Sequence, residues 1–238
     1  MNILQIVNEF CRRTAVPVQA AMATSQDDQA LQLMALCNEI LDDLGERKAW
    51  TMLHTEATFT TLAAEDQGAL ATIASGGYTS IMEGVLFDRT NSQYILGSVS
   101  PSQWQAAKAN LSSISDTQYR EMQGHLYLTP APAAGDTIAF EYVTSYPVVD
   151  NSTAPVLTSK AYFTSDADTC LYPDKLLILG LRWLWKREKG IRYGEEFRHY
   201  ESAVVNFMGK DGGKQAIDIS CDAQPANGII IPDRSWPL

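Results

Sequence analysis

The stretch Leu126–Val143 reads LYLTPAPAAGDTIAFEYV. Two runs of alternating apolar and polar residues flank a connection rich in Pro, Ala and Gly, the pattern of two strands joined by a turn. By the two-residue period of a strand, Leu126 and Leu128 share one face, as do Ile138, Phe140 and Tyr142. Pro130, Pro132 and Gly135 enforce the turn and limit edge pairing. The expectation is a β-hairpin anchoring a β-rich unit, and nothing in it resembles a catalytic motif.

Around this hairpin the chain keeps a strand-like character from Trp50 to about Tyr146. Candidate strands are Thr51–Thr61, Ala69–Ile73, Gly84–Asp88, Tyr94–Leu96, Gly124–Leu128 and Thr137–Ser145, punctuated by Gly, Ser, Asn and Asp. ASGGYTS at Ala74–Ser80 reads as a turn, since it lacks the Lys of a phosphate loop. One short helix interrupts, capped by Ser100 or Ser102, with Trp104, Ala107 and Leu111 facing inward and Pro101 in its first turn. The Pro-, Asn-, Ser- and Thr-rich connector Pro147–Lys160 reads as an exposed loop.

Both flanks are helical. Ile3, Leu4, Ile6, Val7 and Phe10 recur at helical spacing until Pro17 ends the run. A second helix starts at Ser25 or Asp27 and buries Leu31, Met34, Leu36, Cys37, Ile40, Leu41 and Leu44. PDKLLILGLRWLWKREKG, from Pro173 to Gly190, and the following RYGEEFRHYESAVVNFMGK form another pair around Gly190. The expected class is α+β. A helical bundle of residues 1–50 and 160–209 carries an inserted antiparallel β-rich unit of residues 51–159, and an extended C-terminal tail of residues 210–238 follows.

The bulk composition narrows the function. The chain has 238 residues, 45 % of them hydrophobic, which suffices for a sizeable core. Its formal charge of −10 argues against a protein whose main task is gripping phosphate backbones. Cys11, Cys37, Cys170 and Cys221 form no C-x-x-C pair, so they read as buried reduced thiols and not as zinc ligands. Arg182 breaks the most apolar run, Leu176–Arg187, well short of the ~20 residues of a membrane span. A soluble protein made in the cytoplasm is expected.

Motifs of chemistry are missing: there is no G-x-S-x-G, G-x-x-x-x-G-K-[ST], H-E-x-x-H or G-x-G-x-x-G. Asp166 and Asp168 in TSDADT read as a helix-capping turn, because the central Gly and terminal Glu of an EF-hand do not follow. His199, close to Glu195, Glu196 and Glu201, reads as a member of a surface ion-pair network. Trp183 and Trp185 among Arg182, Lys186 and Arg187 allow a single-stranded nucleic-acid patch, a core helix or a subunit contact. No cofactor or metal is expected, and no enzymatic activity.

The ordered set of segments resembles the head-to-tail adaptor (tail tubular) proteins of short-tailed bacteriophages. The pieces are ALCNEILDDLGERKAW followed at once by TEATFTT, then ILGSVSPSQWQAAKA, HLYLTPAPAAGDTIAFEYVTSY, and FTSDADTCLYPDKLLILGLRWLWKREKGIRYGEEFRHYESAV. Together they span most of residues 1–210. The resemblance implies a virion structural protein at the head–tail junction, about twelve copies of which ring the channel between portal and tail nozzle. It implies that the helical part faces the portal and the β part meets the nozzle. Candidate portal or subunit contacts are Trp183, Trp185, Ile229, Ile230, Ile231 and Trp236; candidate nozzle contacts are Tyr78 and Trp104. DNA would pass through the ring without specific binding, helped by an acidic lumen. The tail is expected to order on its partner. Rival readings are another neck or tail-completion protein, or a small intracellular hydrolase built on His199 or His125.

Overall fold

A computed structural model describes residues 1–82, 84–109, 116–151 and 158–212. The first helix, α1 (Ile3–Thr14), begins with reciprocal caps: Asn2 Oδ1 accepts from the Gln5 amide at 2.9 Å, and Gln5 Oε1 accepts from the Asn2 amide at 3.1 Å. Ala15 ends it in the left-handed region, φ 56°. Helix α2 (Asp28–Arg47) follows, with Asp27 as the N-cap residue.

The β part runs from β1 (His54–Thr60) through β2 (Asp66–Ala69), a one-turn α3 (Leu70–Ile73), β3 (Tyr78–Ile81), β4 (Val85–Asp88) and β5 (Gln93–Leu96). It continues with α4 (Pro101–Ala109), β6 (Gln118–Met122), β7 (His125–Thr129) and β8 (Thr137–Thr144). Three short strands, β9 (Val148–Asp150), β10 (Thr158–Lys160) and β11 (Thr169–Cys170), precede α5 (Asp174–Glu188) and α6 (Gly194–Lys210).

The fold class expected from the sequence is corrected. Among the described residues the protein is α+β but β-rich: an eight-stranded sheet in the order β1-β8-β4-β5-β6-β7-β2, with β3 added on β8, curls into a half-barrel accompanied by six α-helices. It is not a helical bundle with an inserted β unit, and the sheet is mixed, because β5 and β6 run parallel. Strands of three to five residues show too little alternation to be counted from sequence, and β content was therefore underread. Ala74–Ser80 contains the start of β3, Ala69–Ile73 is mostly the turn of α3, and the supposed loop 147–160 holds β9 and β10.

The hairpin is corrected too. β7 pairs with β6 and β2, whereas β8 lies between β1 and β4. The connection between them is fastened to Thr61. The Thr61 amide donates to Asp136 O (2.8 Å), its hydroxyl donates to Ala133 O (2.6 Å), and its carbonyl accepts from the Gly135 amide (3.1 Å). Seven residues separate the strands, and Pro130 and Pro132 stand where a two-residue turn would be needed.

Two cores result. Leu86, Ile95, Tyr119, Leu126, Leu128, Ile138, Phe140 and Tyr142 fill the half-barrel, closed at one end by Leu70 and Ala74. The second core gathers α1, α2 and α6 around α5, which buries Leu176, Leu177, Ile178, Leu179, Leu181 and Leu184. Val143, Val148, Phe163 and Tyr172 join it from the β side. Asp166 and Asp168 do not cap the next helix, whose N-cap position is Pro173 with no side-chain bond; they tie loops together instead. Asp166 Oδ1 accepts from the Met22 and Ala23 amides, and fully buried Asp168 accepts from the Thr164 and Ser165 amides and pairs with Lys160. The three cysteines among the described residues are free, and burial pushes the Cys170 thiol up to about 12.

Helix α5 approaches α2 at Gly180, where an added Cβ would lie 2.8 Å from Ile40 Cδ1 and 2.9 Å from Cγ1. Ile40 is fully enclosed, so it has little room to yield. Gly180→Ala is expected to lose about 1–2 kcal/mol by overpacking despite its gain in helix propensity. Ile40→Val, which removes Cδ1, should recover part of that loss in the double variant. Urea denaturation of the two single variants and the double variant checks this; a Gly180→Ala chain as stable as the native one would refute the close contact.

Candidate interaction surfaces

Residues two apart on a helix point in divergent directions, and Trp183 and Trp185 do so. Trp183 turns towards α6, its ring 5.1 Å from Phe197, 6.0 Å from Tyr200 and 6.3 Å from Tyr193, with the Arg187 guanidinium 5.2 Å above it. Trp185 turns towards α1 and meets Phe10 edge-on at 6.0 Å. Both are half-buried. Their indole N–H groups and Arg182 Nε are sealed from solvent without an acceptor among the described residues, a cost that hydrophobic and aromatic packing must offset.

Beside Trp183 the α5–α6 corner leaves Ile191, Tyr193 and Phe197 exposed at 45, 41 and 38 %. Aromatic side chains contiguous with an Arg are the residue types that dominate protein contacts. The corner is shaped by Gly190, whose φ of 65° lets the chain reverse after α5. It is braced by Glu196, which pairs with Lys186 and lies 4.0 Å from Arg182, and by Arg187, which pairs with Glu39 on α2 at 2.9 Å. The basic residues beside the tryptophans are thus committed to carboxylates, which leaves them poorly placed to bind phosphates.

A second apolar surface lies on the outer face of the sheet. Val85 pairs with Leu96 and Phe87 with Tyr94 across β4 and β5, while Leu86 and Ile95 point into the core. Phe87 and Tyr94 meet edge-on at 5.0 Å, and Tyr94 and Leu96 are 48 and 43 % exposed. A shallow depression of about 400 Å³ adjoins them, bounded by His54, Glu56, Met82, Arg89 and Glu141.

The residues singled out from sequence fall differently. Trp183 and Trp185 border the α5–α6 corner. Ile229, Ile230, Ile231 and Trp236 lie outside the described residues. Trp104 is inside the protomer, 1 % exposed, and Tyr78 is half-buried with its hydroxyl on the Glu121 carboxylate. Neither is part of the exposed outer sheet face. The residues that form it, Val85, Phe87, Tyr94 and Leu96, lie in the expected strands Gly84–Asp88 and Tyr94–Leu96; their outward side chains carry no sequence signal, because VLFD and QYIL are apolar at successive positions, as in a strand covered on both faces.

Of the two histidines in the hydrolase reading, His125 has a carboxylate partner and, among the described residues, His199 does not. His125 Nδ1 sits 3.1 Å from both Asp66 carboxylate oxygens, exposed on the β2–β7 edge. The Asp66 carboxyl is held below its usual range chiefly by the Gly68 amide and then by His125. His199 is exposed, and two of the three carboxylates near it are engaged elsewhere, Glu196 by Lys186 and Glu201 by Arg47. Among the described residues no group of three His, Cys, Asp or Glu is placed to hold a metal ion, and no helix is long and apolar enough to cross a membrane. Compared with known proteins, the chain matches no family model and no curated protein.

The Glu196 carboxyl is held below the usual range, first by its hydrogen bond from Lys186, against a smaller opposing effect of burial. A carboxyl so depressed stabilises the fold above its unfolded pKa, and that contribution is lost as pH falls through the folded value. Glu196→Gln is expected to cost about 0.5–1 kcal/mol at pH 7, narrowing as pH drops below 4.5. Denaturation at pH 7 and pH 3 reads this directly, and an equal deficit at both would exclude the ion pair as its cause.

Proposed function

We propose that this protein is a virion structural protein, a head-to-tail adaptor whose copies close into a ring between portal and tail nozzle. One observation carries the reading beyond the sequence resemblance: the protomer exposes two separate apolar and aromatic surfaces on different elements, the α5–α6 corner and the outer face of β4 and β5. A ring needs heterologous contact, two unlike patches on every copy. Aromatic rings left exposed in a chain this rich in buried core are costly to keep unless a partner covers them. The formal charge of −10 suits a channel wall that repels DNA in transit. In this reading the α5–α6 corner serves the portal and neighbouring copies, and the outer sheet face serves the nozzle side.

Native mass spectrometry of the purified chain with cognate portal tests it. The expected outcome is a complex of about twelve copies per portal ring, weakened at least tenfold by Tyr193→Ser with Phe197→Ser; because both rings also pack on Trp183, circular dichroism of the double variant checks that it is folded, and Ile191→Ser alone, at an exposed position, should weaken the complex in the same direction. A chain that remains monomeric and indifferent to portal overturns the adaptor reading, and a stable ring formed without portal affinity points to another neck or tail-completion role.

A further inference from the structure

The outer face of the sheet carries a charge that the protomer does not balance. Glu56 on β1 stands directly opposite Glu141 on β8. The Glu141 carbonyl accepts from the Met82 amide, on the side of β8 away from β1. Glu56 and Glu141 are therefore a non-hydrogen-bonded pair, the type in which facing side chains approach most closely. Two like charges so placed repel. Arg89 pairs with Glu56 at 2.5 Å, whereas the exposed Glu141 carboxylate forms no ion pair among the described residues. Both glutamates and Arg89 border the depression of about 400 Å³, whose apolar wall includes Met82, Val85 and Phe87.

The α5–α6 corner is charged the opposite way. Arg182, Lys186 and Arg187 are committed to carboxylates, and Lys189 donates to Gln32 at 2.9 Å. Arg192 and Arg198 are exposed and form no ion pair among the described residues. Glu195, exposed at the start of α6, is one carboxylate against these two cations. Arg192 stands between Ile191 and Tyr193, so a free guanidinium is set within the exposed apolar and aromatic surface around Trp183. Arg and Tyr together in such a patch are the composition of the residues that dominate contacts.

We propose that the α5–α6 corner of one copy seats in the depression of a second copy, with Arg192 reaching Glu141 while Tyr193 and Phe197 cover Met82, Val85 and Phe87. The inference rests on the ring of the adaptor reading and names the two surfaces that meet in it. Each surface supplies what the other lacks. The depression holds a carboxylate without a cation, the corner a cation without a carboxylate, and apolar side chains adjoin both. A guanidinium brought to the facing glutamates also offsets their mutual repulsion. Corner and depression lie on different elements, so the contact is heterologous. Every copy then donates one surface and receives the other, the condition for a ring when the rotation closes. Tyr94 and Leu96, on β5, stay outside this contact and remain for the nozzle side.

Charge reversal read by native mass spectrometry tests it, on the full chain alone over a range of concentrations and with cognate portal. Glu141→Arg and Arg192→Glu are each expected to weaken the joining of copies about tenfold or more. The chain carrying both reversals should regain most of that loss, because the pair is restored with its signs exchanged. Circular dichroism checks each fold. If a reversal fails to fold, Glu141→Gln and Arg192→Gln take their place, and their double variant should be no weaker than either single one. Copies that load on the portal unaffected by either single change overturn this inference and leave the adaptor reading standing. Loss in both single reversals without recovery in the double overturns it too, assigning the surfaces to the portal or the nozzle. Copies that join through this pair but ignore portal uphold the inference and overturn the adaptor reading. A chain that joins neither itself nor portal overturns both.

Discussion

Strand β8 is buried along one face and, at its C-terminal end, on the other as well, and the rest of the structure depends on it. Ile138, Phe140 and Tyr142 fill the half-barrel from one side, while Val143 projects into the core built by α1, α2, α5 and α6. The same strand pairs with β1, β3 and β4. An element hydrophobic in both directions can be satisfied only between two layers. This requirement draws β8 out of a hairpin with β7 and places it where sheet and helices meet.

Helix α5 plays the corresponding role on the helical side. Its buried leucines meet α1, α2 and α6 at once, and Gly180 permits the approach to α2 that a larger residue would prevent. Once α5 is enclosed, the corner leading into α6 has to turn at the surface. That turn leaves Ile191, Tyr193 and Phe197 partly uncovered around Trp183. The surface proposed for assembly is thus a by-product of how the core is closed.

Much of the helical part was legible in the sequence because α1, α2, α5 and α6 are long enough to show a full 3.6-residue period. Their buried residues, such as Ile6, Phe10, Ile40 and Leu44, are the ones that period selects. Strand order was not legible. Nothing local in LYLTPAPAAGDTIAFEYV states that its halves lie apart, since the deciding contact is made by Thr61, more than seventy residues from Ala133. β9, β10 and β11 are too short to announce themselves. At the candidate surfaces, Trp183 and Trp185 stand out in the sequence as aromatics among basic residues, and in the fold they border the α5–α6 corner. Tyr94 and Leu96 do not stand out, because an exposed apolar residue on a strand looks like a core residue until its neighbours are known. Trp104, read from the sequence as facing inward on its helix and, from the resemblance, as a nozzle contact, is enclosed by the fold.

The central claim is that unlike surfaces of successive copies join into a closed ring on the portal. A cryo-EM reconstruction of the full chain assembled with cognate portal tests it most directly. The account predicts one repeated rotation between neighbours, with Tyr193 and Phe197 buried at a boundary against a different surface of the next copy or of the portal. A two-fold dimer in which the α5–α6 corner meets itself, or a ring that leaves Tyr193 and Phe197 in solvent, would contradict it.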